Sequence, residues 1–281
     1  MKTLSVVKKD LDFNRGLSSL IDVLKNIAVA QYRTLEQKIK SFEKFGQEVE
    51  SFFDFIDLAQ VDHPFVRPQN NSQAVVAVTS DSGLLGGLNM QVVSVAIAEL
   101  EKIPGKLVVI GERGKMYAQE SKIPFTAFPG IKDEERFGQA IQLRDYLVAK
   151  ALEGSFHHLK IVYPRPISFT VQRIEKLSVL PFSLASQEKG LVKAIPEFIS
   201  ESSFADVAEY LLYLWLGQKI YEIFGLSRLA EFSARYVHLE ESLQKLKEMD
   251  TKLRLEYFRV RHELIDRSMR ELFSARLLYA Q

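Results

Sequence analysis

The chain has 281 residues, 47% of them hydrophobic, enough apolar surface for a buried core and too much for a disordered polypeptide. Thirty-seven basic residues face 36 acidic ones, so at a formal charge of +1 no global field draws the protein to nucleic acid or anionic lipid. There is no cysteine, which excludes disulfides, thiolate zinc sites and a cysteine nucleophile.

The opening stretch MKTLSVVKKDLDFNRG has no apolar run long enough for a signal peptide, and its acids argue against a transit peptide. Writing residues 17–56 in sevens puts Ile21, Ala28, Leu35, Phe42, Val49 and Ile56 on one row. The neighbouring row is Leu17, Leu24, Gln31, Lys38, Phe45 and Phe52. Two sustained rows at this period predict a coiled-coil seam. The segment DHPFVRPQNNS, with two prolines and an Asn-Asn pair, predicts the break out of that helix.

From Ala74 to about Pro196 short apolar runs alternate with helical patterns. AVVAVT, KLVVIG, FTAF, HLKIVYPRP and KLSVLPF read as strands; helices are expected from about Met90 to Lys102, after Gly114, and from about Asp133 to Leu152. That alternation predicts a mostly parallel sheet covered on both faces. The stretch TSDSGLLGGLN, between the first strand and the first helix, has the layout of a phosphate cradle. Its glycines, Gly83, Gly86 and Gly87, fit neither the dinucleotide spacing nor a P-loop, which needs a following Lys-Ser/Thr. The expectation is structural: glycines for positive φ or close backbone approach, with Asp81 and Asn89 as turn and cap residues.

From about Phe204 to Leu278 there is no proline. Leu246, Leu253 and Val260 form one heptad row and Leu243, Asp250, Tyr257 and Leu264 another, drifting to Ile265, Met269 and Leu272. A continuous helix here would be roughly 110 Å long. Its richest apolar window, VAEYLLYLWLGQKIYEIFG, is broken by Glu209, Lys219 and Glu222, so no membrane span is expected. The expected fold is α/β: an α/β domain (residues 63–197) inserted between an N-terminal coiled-coil helix (1–62) and a C-terminal one (198–281) that pair antiparallel.

Other chemistry has weak support. His63, His157, His158, His238 and His262 lie in no metal-ligand spacing, and no Gly-x-Ser-x-Gly elbow occurs. The basic residues from Arg254 to Arg270 alternate with Glu256, Glu263 and Asp266, as on a solvated coiled-coil face. No catalytic residue, metal or cofactor is expected.

Carried on Thr79, Asp81, Gly83, Leu84, Gly86, Gly87, Leu88 and Asn89, on VVIGERGKMY, and on Ser233-Ala234-Arg235, Leu253, Tyr257, Arg261, Ile265, Glu271 and Ala275, the sequence resembles the gamma subunit of F-type ATP synthases, the central rotor stalk. The resemblance spans the whole chain. It implies a Rossmann-like domain between paired helices and a non-catalytic rotor partnered by the alpha and beta subunits, the epsilon subunit and the c-subunit ring. It also implies a peripheral place on the cytoplasmic face of a bacterial inner membrane. Implied hexamer-contacting residues are Arg254, Arg261, His262, Glu263, Asp266, Arg270, Asp22, Lys25 and Arg33; Phe198 and Glu201 are implied contacts to the c ring and epsilon. Ile21-Asp22, Gln31, Leu246-Lys247, His262 and Asp266 depart from the family's usual residues, which marks a divergent member and leaves a paralogous motor as an alternative. A nucleotide-binding enzyme with helical extensions and a free coiled-coil scaffold are the readings from other classes.

Overall fold

A computed structural model describes residues 3–40, 53, 63–182 and 204–279. Phe42, Phe45, Val49, Phe52 and Ile56 of the expected seam, and Phe198 and Glu201, lie outside the described residues. In chain order the elements are α1 (Leu4–Lys40), β1 (Gln73–Val78), α2 (Leu88–Lys102), β2 (Gly105–Ile110), α3 (Glu112–Glu120), β3 (Phe125–Phe128), α4 (Arg136–Leu152), β4 (His158–Pro166), β5 (Gln172–Leu180) and α5 (Phe204–Tyr279). Two compact units contain them: residues 29–235, and residues 1–28 with 236–281.

In the larger unit the sheet order is β3-β2-β1-β4-β5, parallel except for the antiparallel β4–β5 pair. β1 is buried at all six positions, which is why it reads as an uninterrupted apolar run. Strand alternation sorts its side chains onto two cores. Ala74, Val76 and Val78 join Leu143 and Leu147 of α4 and Leu216, Ile220 and Ile223 of α5. Val75 and Ala77 join Val92 and Ala96 of α2 and Ala118 of α3. One acid is drawn into this framework. Glu99, only 4% exposed, receives Lys102, Lys160 and Lys176 at 2.7, 2.6 and 3.1 Å. Hydrogen bonds from Lys102 and then Lys160 hold its carboxyl down at about 2.

In the smaller unit the two helices run antiparallel: the Asn14 side-chain amide donates to the Leu246 carbonyl at 3.0 Å, and Lys25 pairs with Glu240 at 3.0 Å. On α5 the shielded positions are Leu239, Leu243, Leu246, Asp250, Leu253, Tyr257 and Val260, in alternating steps of three and four. On α1 they include Leu4, Val7, Leu11, Asn14, Ser18, Ile21, Lys25 and Ala28. The first expected row therefore holds at Ile21 and Ala28 and extends back to Val7. The second row holds at Leu17 and Leu24, both half-buried, and is exposed at Gln31 and Lys38, while the polar Ser18 and Lys25 are half-buried beside it. Polar seam residues of this kind fix register at some cost in stability. The drift expected at Ile265, Met269 and Leu272 is corrected: all three are about half exposed or more.

Candidate functional site

The order of the larger unit's sheet reverses between β1 and β4, and in open α/β sheets the crevice at such a point, beyond the carboxyl ends of the strands, is where ligands bind. The loop 79–87 leaves β1 there. Its geometry corrects the expected roles. Gly86 takes φ +60°, but the other left-handed residue is Leu84, at +63°. Gly87 is the N-cap of α2, with no side-chain cap. Asn89 instead lies inside α2, buried, its carbonyl accepting the Ser80 N–H at 3.2 Å. Asp81 accepts the Glu112 N–H at 2.8 Å and so caps α3, not α2. A Cβ added at Gly83 would lie 3.3 Å from the Arg113 guanidinium, a flexible neighbour that can give way. The glycine that the motif requires is elsewhere: Gly114 donates its N–H to Thr79 Oγ1 at 3.1 Å, and a Cβ there would collide with that side chain.

The crevice is occupied by the chain itself. Val78, Thr79, Ser80, Leu85, Leu88 and Asn89 face Ser227, Arg228 and Glu231 of α5, leaving about 10 Å³, no more than a single water could fill. Around it, Leu229–Ala234 are six consecutive buried residues. Ordinary surface helices bury one stripe, so this segment is enclosed on all sides. Leu85 and Leu88 pack on Ala234; Leu35 and Tyr32 pack on Leu229 and Phe232.

Polar contacts pin the same turn. Ser82 Oγ donates to Glu231 at 2.8 Å, and Arg235 donates to both Glu231 (2.7 Å) and Ser82 (3.0 Å). Arg228 pairs with Glu231 and with Asp133 at 3.1 Å. Burial disfavours the Arg228 cation, but the Asp133 and Glu231 carboxylates outweigh it and raise its pKa. From the β4–β5 hairpin Gln172 donates to Ser233, whose hydroxyl in turn donates to the Phe169 carbonyl. Glu231, Arg228 and Ser82 were not singled out from the sequence; a lone acid inside the otherwise apolar and small run Leu229–Ala234 was the available signal.

None of the implied contact residues that the structure describes lines this crevice. Arg254 is paired with Asp250 at 2.6 Å, and Glu263 with Arg259 at 3.4 Å. His262 Nδ1 sits 2.8 Å from the Phe258 carbonyl, and Arg270 Nε donates to the Asp266 carbonyl at 3.3 Å. Arg261 and Arg33 are exposed. Lys25 is committed to Glu240 and Asp22, which raise its pKa against a smaller opposing effect of burial. On the same stretch of α5, large apolar side chains stand in solvent: Leu255 (67%), Phe258 (50%), Leu272 (66%) and Phe273 (59%). No group of metal-ligating side chains occurs among the described residues, and no described helix is long and apolar enough to cross a membrane.

In the larger unit the last helix fills the crevice of a Rossmann-like sheet, and in the smaller unit α1 and α5 pair antiparallel. The profile of the ATP synthase family matches residues 3–276. The ATP synthase gamma chain of Clostridium beijerinckii is 30% identical over 72% of this chain and 71% of its own length. That of Symbiobacterium thermophilum is 25% identical over 92% of each. Among solved structures, a chain of the Euglena gracilis mitochondrial ATP synthase (OSCP, F1 and c ring) superposes with a TM-score of 0.73 at 16% identity, covering 98% of this chain and 93% of its own. A central-stalk chain of the Tetrahymena thermophila enzyme gives 0.61 at 15% identity, covering 79% and 99%. The chain belongs to the ATP synthase gamma-chain family.

Proposed function

We propose that the chain is the rotor of an F-type ATP synthase, turning inside a hexamer of alpha and beta subunits and linking it to a c-subunit ring and an epsilon subunit, with catalysis left to the beta subunits. One observation carries the reading beyond family membership. Among the described residues the end of α5 exposes large apolar side chains at Leu255, Phe258, Leu272 and Phe273. Such a surface marks a site of contact with other protein. A stiff, asymmetric helix there would present a different face to each beta subunit and bias each toward a different nucleotide state.

Arg254, Arg261, His262, Glu263, Asp266 and Arg270, with Asp22, Lys25 and Arg33 on α1, are the proposed coupling residues; Phe198 and Glu201 are proposed to meet epsilon and the c ring. Exposed ion pairs contribute only ~0–1 kcal/mol each, so charged contacts let the shaft turn without locking it. The protein would sit at the cytoplasmic face of a bacterial inner membrane through its complex. The test is reconstitution with alpha and beta subunits and the membrane sector. The wild-type chain should restore ATP-driven ion pumping, and Arg261→Ala with Asp266→Ala together should lower the ions moved per ATP while leaving the fold intact. An unchanged ratio removes these two residues from the coupling surface.

A further inference from the structure

Torque applied to one end of a helical shaft reaches a globular domain only where the helix is prevented from spinning in its seat. Apolar packing resists this poorly: it is non-directional, and Leu229, Ala230 and Ala234 would offer a similar surface after a rotation. Hydrogen-bonded charges behave otherwise. Successive residues are spaced about 100° around a helix, so a slip by one position would turn the Glu231 carboxylate away from Ser82 and from the enclosing wall.

Glu231 is suited to this role. Its side chain is 4% exposed and carries Arg228 and Arg235 on its own helix, while Ser82 reaches it from the β1–α2 loop. Arg228 extends the grip to Asp133, ahead of α4. Ser233, on another face of the helix, is tied to Phe169 of the β4–β5 hairpin. Three separate elements of the sheet domain thus hold fewer than two turns of α5 through directional bonds at different angles. A buried ion pair that loses one partner leaves an uncompensated charge, so this seat has one favoured orientation.

We infer that the collar around Leu229–Ala234, keyed by Glu231, is the joint through which torque passes between α5 and the α/β domain. Glu231 is a positioning residue, and the TSDSGLLGGLN loop grips the shaft instead of a nucleotide. This rests on the rotor reading above. The test uses the whole complex carrying Glu231→Gln, and separately Ser82→Ala, which removes only the collar's hydroxyl and spares the helix's own charges. Two activities are compared: ATP hydrolysis by the hexamer with this chain alone, where nothing loads the joint, and ions pumped per ATP by the intact enzyme. Rotational fluctuation of a bead on the α/β domain is recorded alongside.

Hydrolysis and assembly should stay at wild-type levels, ions pumped per ATP should fall severalfold for Glu231→Gln and less for Ser82→Ala, and the bead should wander more widely. Unchanged pumping per ATP in both variants overturns the joint. So does a parallel loss of hydrolysis and pumping, which is the mark of a role in folding or assembly alone. Failure of the wild-type chain to assemble with the hexamer would instead sink the rotor reading before any variant is compared.

Discussion

Replacing Glu99 by glutamine isolates the largest downward pKa shift resolved among the described residues. The carboxyl is held at about 2 against an ordinary 4.5 by Lys102, Lys160 and Lys176. At about 1.36 kcal/mol per pH unit the gap sets a ceiling of ~3 kcal/mol on what its ionisation adds to stability. Water reduces that, because Lys102 and Lys176 are 62% and 48% exposed; about 1–2 kcal/mol is the expected size. The folded-state pKa is depressed, so the contribution is complete above the unfolded value of 4.5 and is lost as pH falls toward 2. Urea unfolding followed by the fluorescence of Trp215, the single tryptophan, reports the same compact unit that holds Glu99. The wild type should exceed Glu99→Gln by that margin at pH 7, and the two curves should converge as pH falls toward 2. A margin that is the same at pH 7 and pH 2.5 would refute the electrostatic account and leave only a packing effect.

Two further outcomes follow from backbone and crevice geometry. Gly114→Ala should lower the Trp215-monitored stability by about 1–3 kcal/mol, since the new methyl would overlap Thr79 and Val109, whereas Gly138→Ala, with no atom within 4 Å, should be neutral or stabilising by up to ~1 kcal/mol. Equilibrium dialysis of the full chain with ATP and with NAD should show no retention, because α5 already fills the switch-point crevice; stoichiometric binding of either would mean that the helix leaves it.

What the sequence made legible is what periodicity encodes. β1, β2 and β4 were visible as apolar runs because strands inside a sheet covered on both faces are buried on both sides, and the 76-residue α5 was visible because no proline breaks it. The seam's second row was legible in part: Leu17 and Leu24 are half-buried as their apolarity suggests, but so are Ser18 and Lys25, whose shielding hydrophobicity does not signal. Asp81 and Asn89 were expected as turn and cap residues: Asp81 does cap a helix, but it is α3, more than thirty residues away, and Asn89 lies inside α2 bonded back to Ser80. Glu231 was invisible to any periodic reading, since a charged residue in a long helix reads as solvated unless something encloses it, and the enclosing loop is about 150 residues earlier in the chain.

That distance changes how the glycine-rich loop is understood. In a nucleotide-binding protein the loop after β1 holds a ligand that arrives from solution, and affinity must overcome the loss of that ligand's freedom. Here the occupant of the crevice is Glu231 of the same polypeptide, so its docking is intramolecular and needs no free ligand. An occupant that is also a continuous helix cannot dissociate without carrying the rest of α5 with it. A fold that elsewhere binds and releases small molecules thereby becomes a permanent seat for a rod. Its specificity lies in the angle at which the rod is held, because Ser82, Asp133 and Phe169 reach α5 from different directions. The same argument accounts for the polar character of the seat: an all-apolar collar of equal area could be at least as stable, but it would leave the helix free to turn.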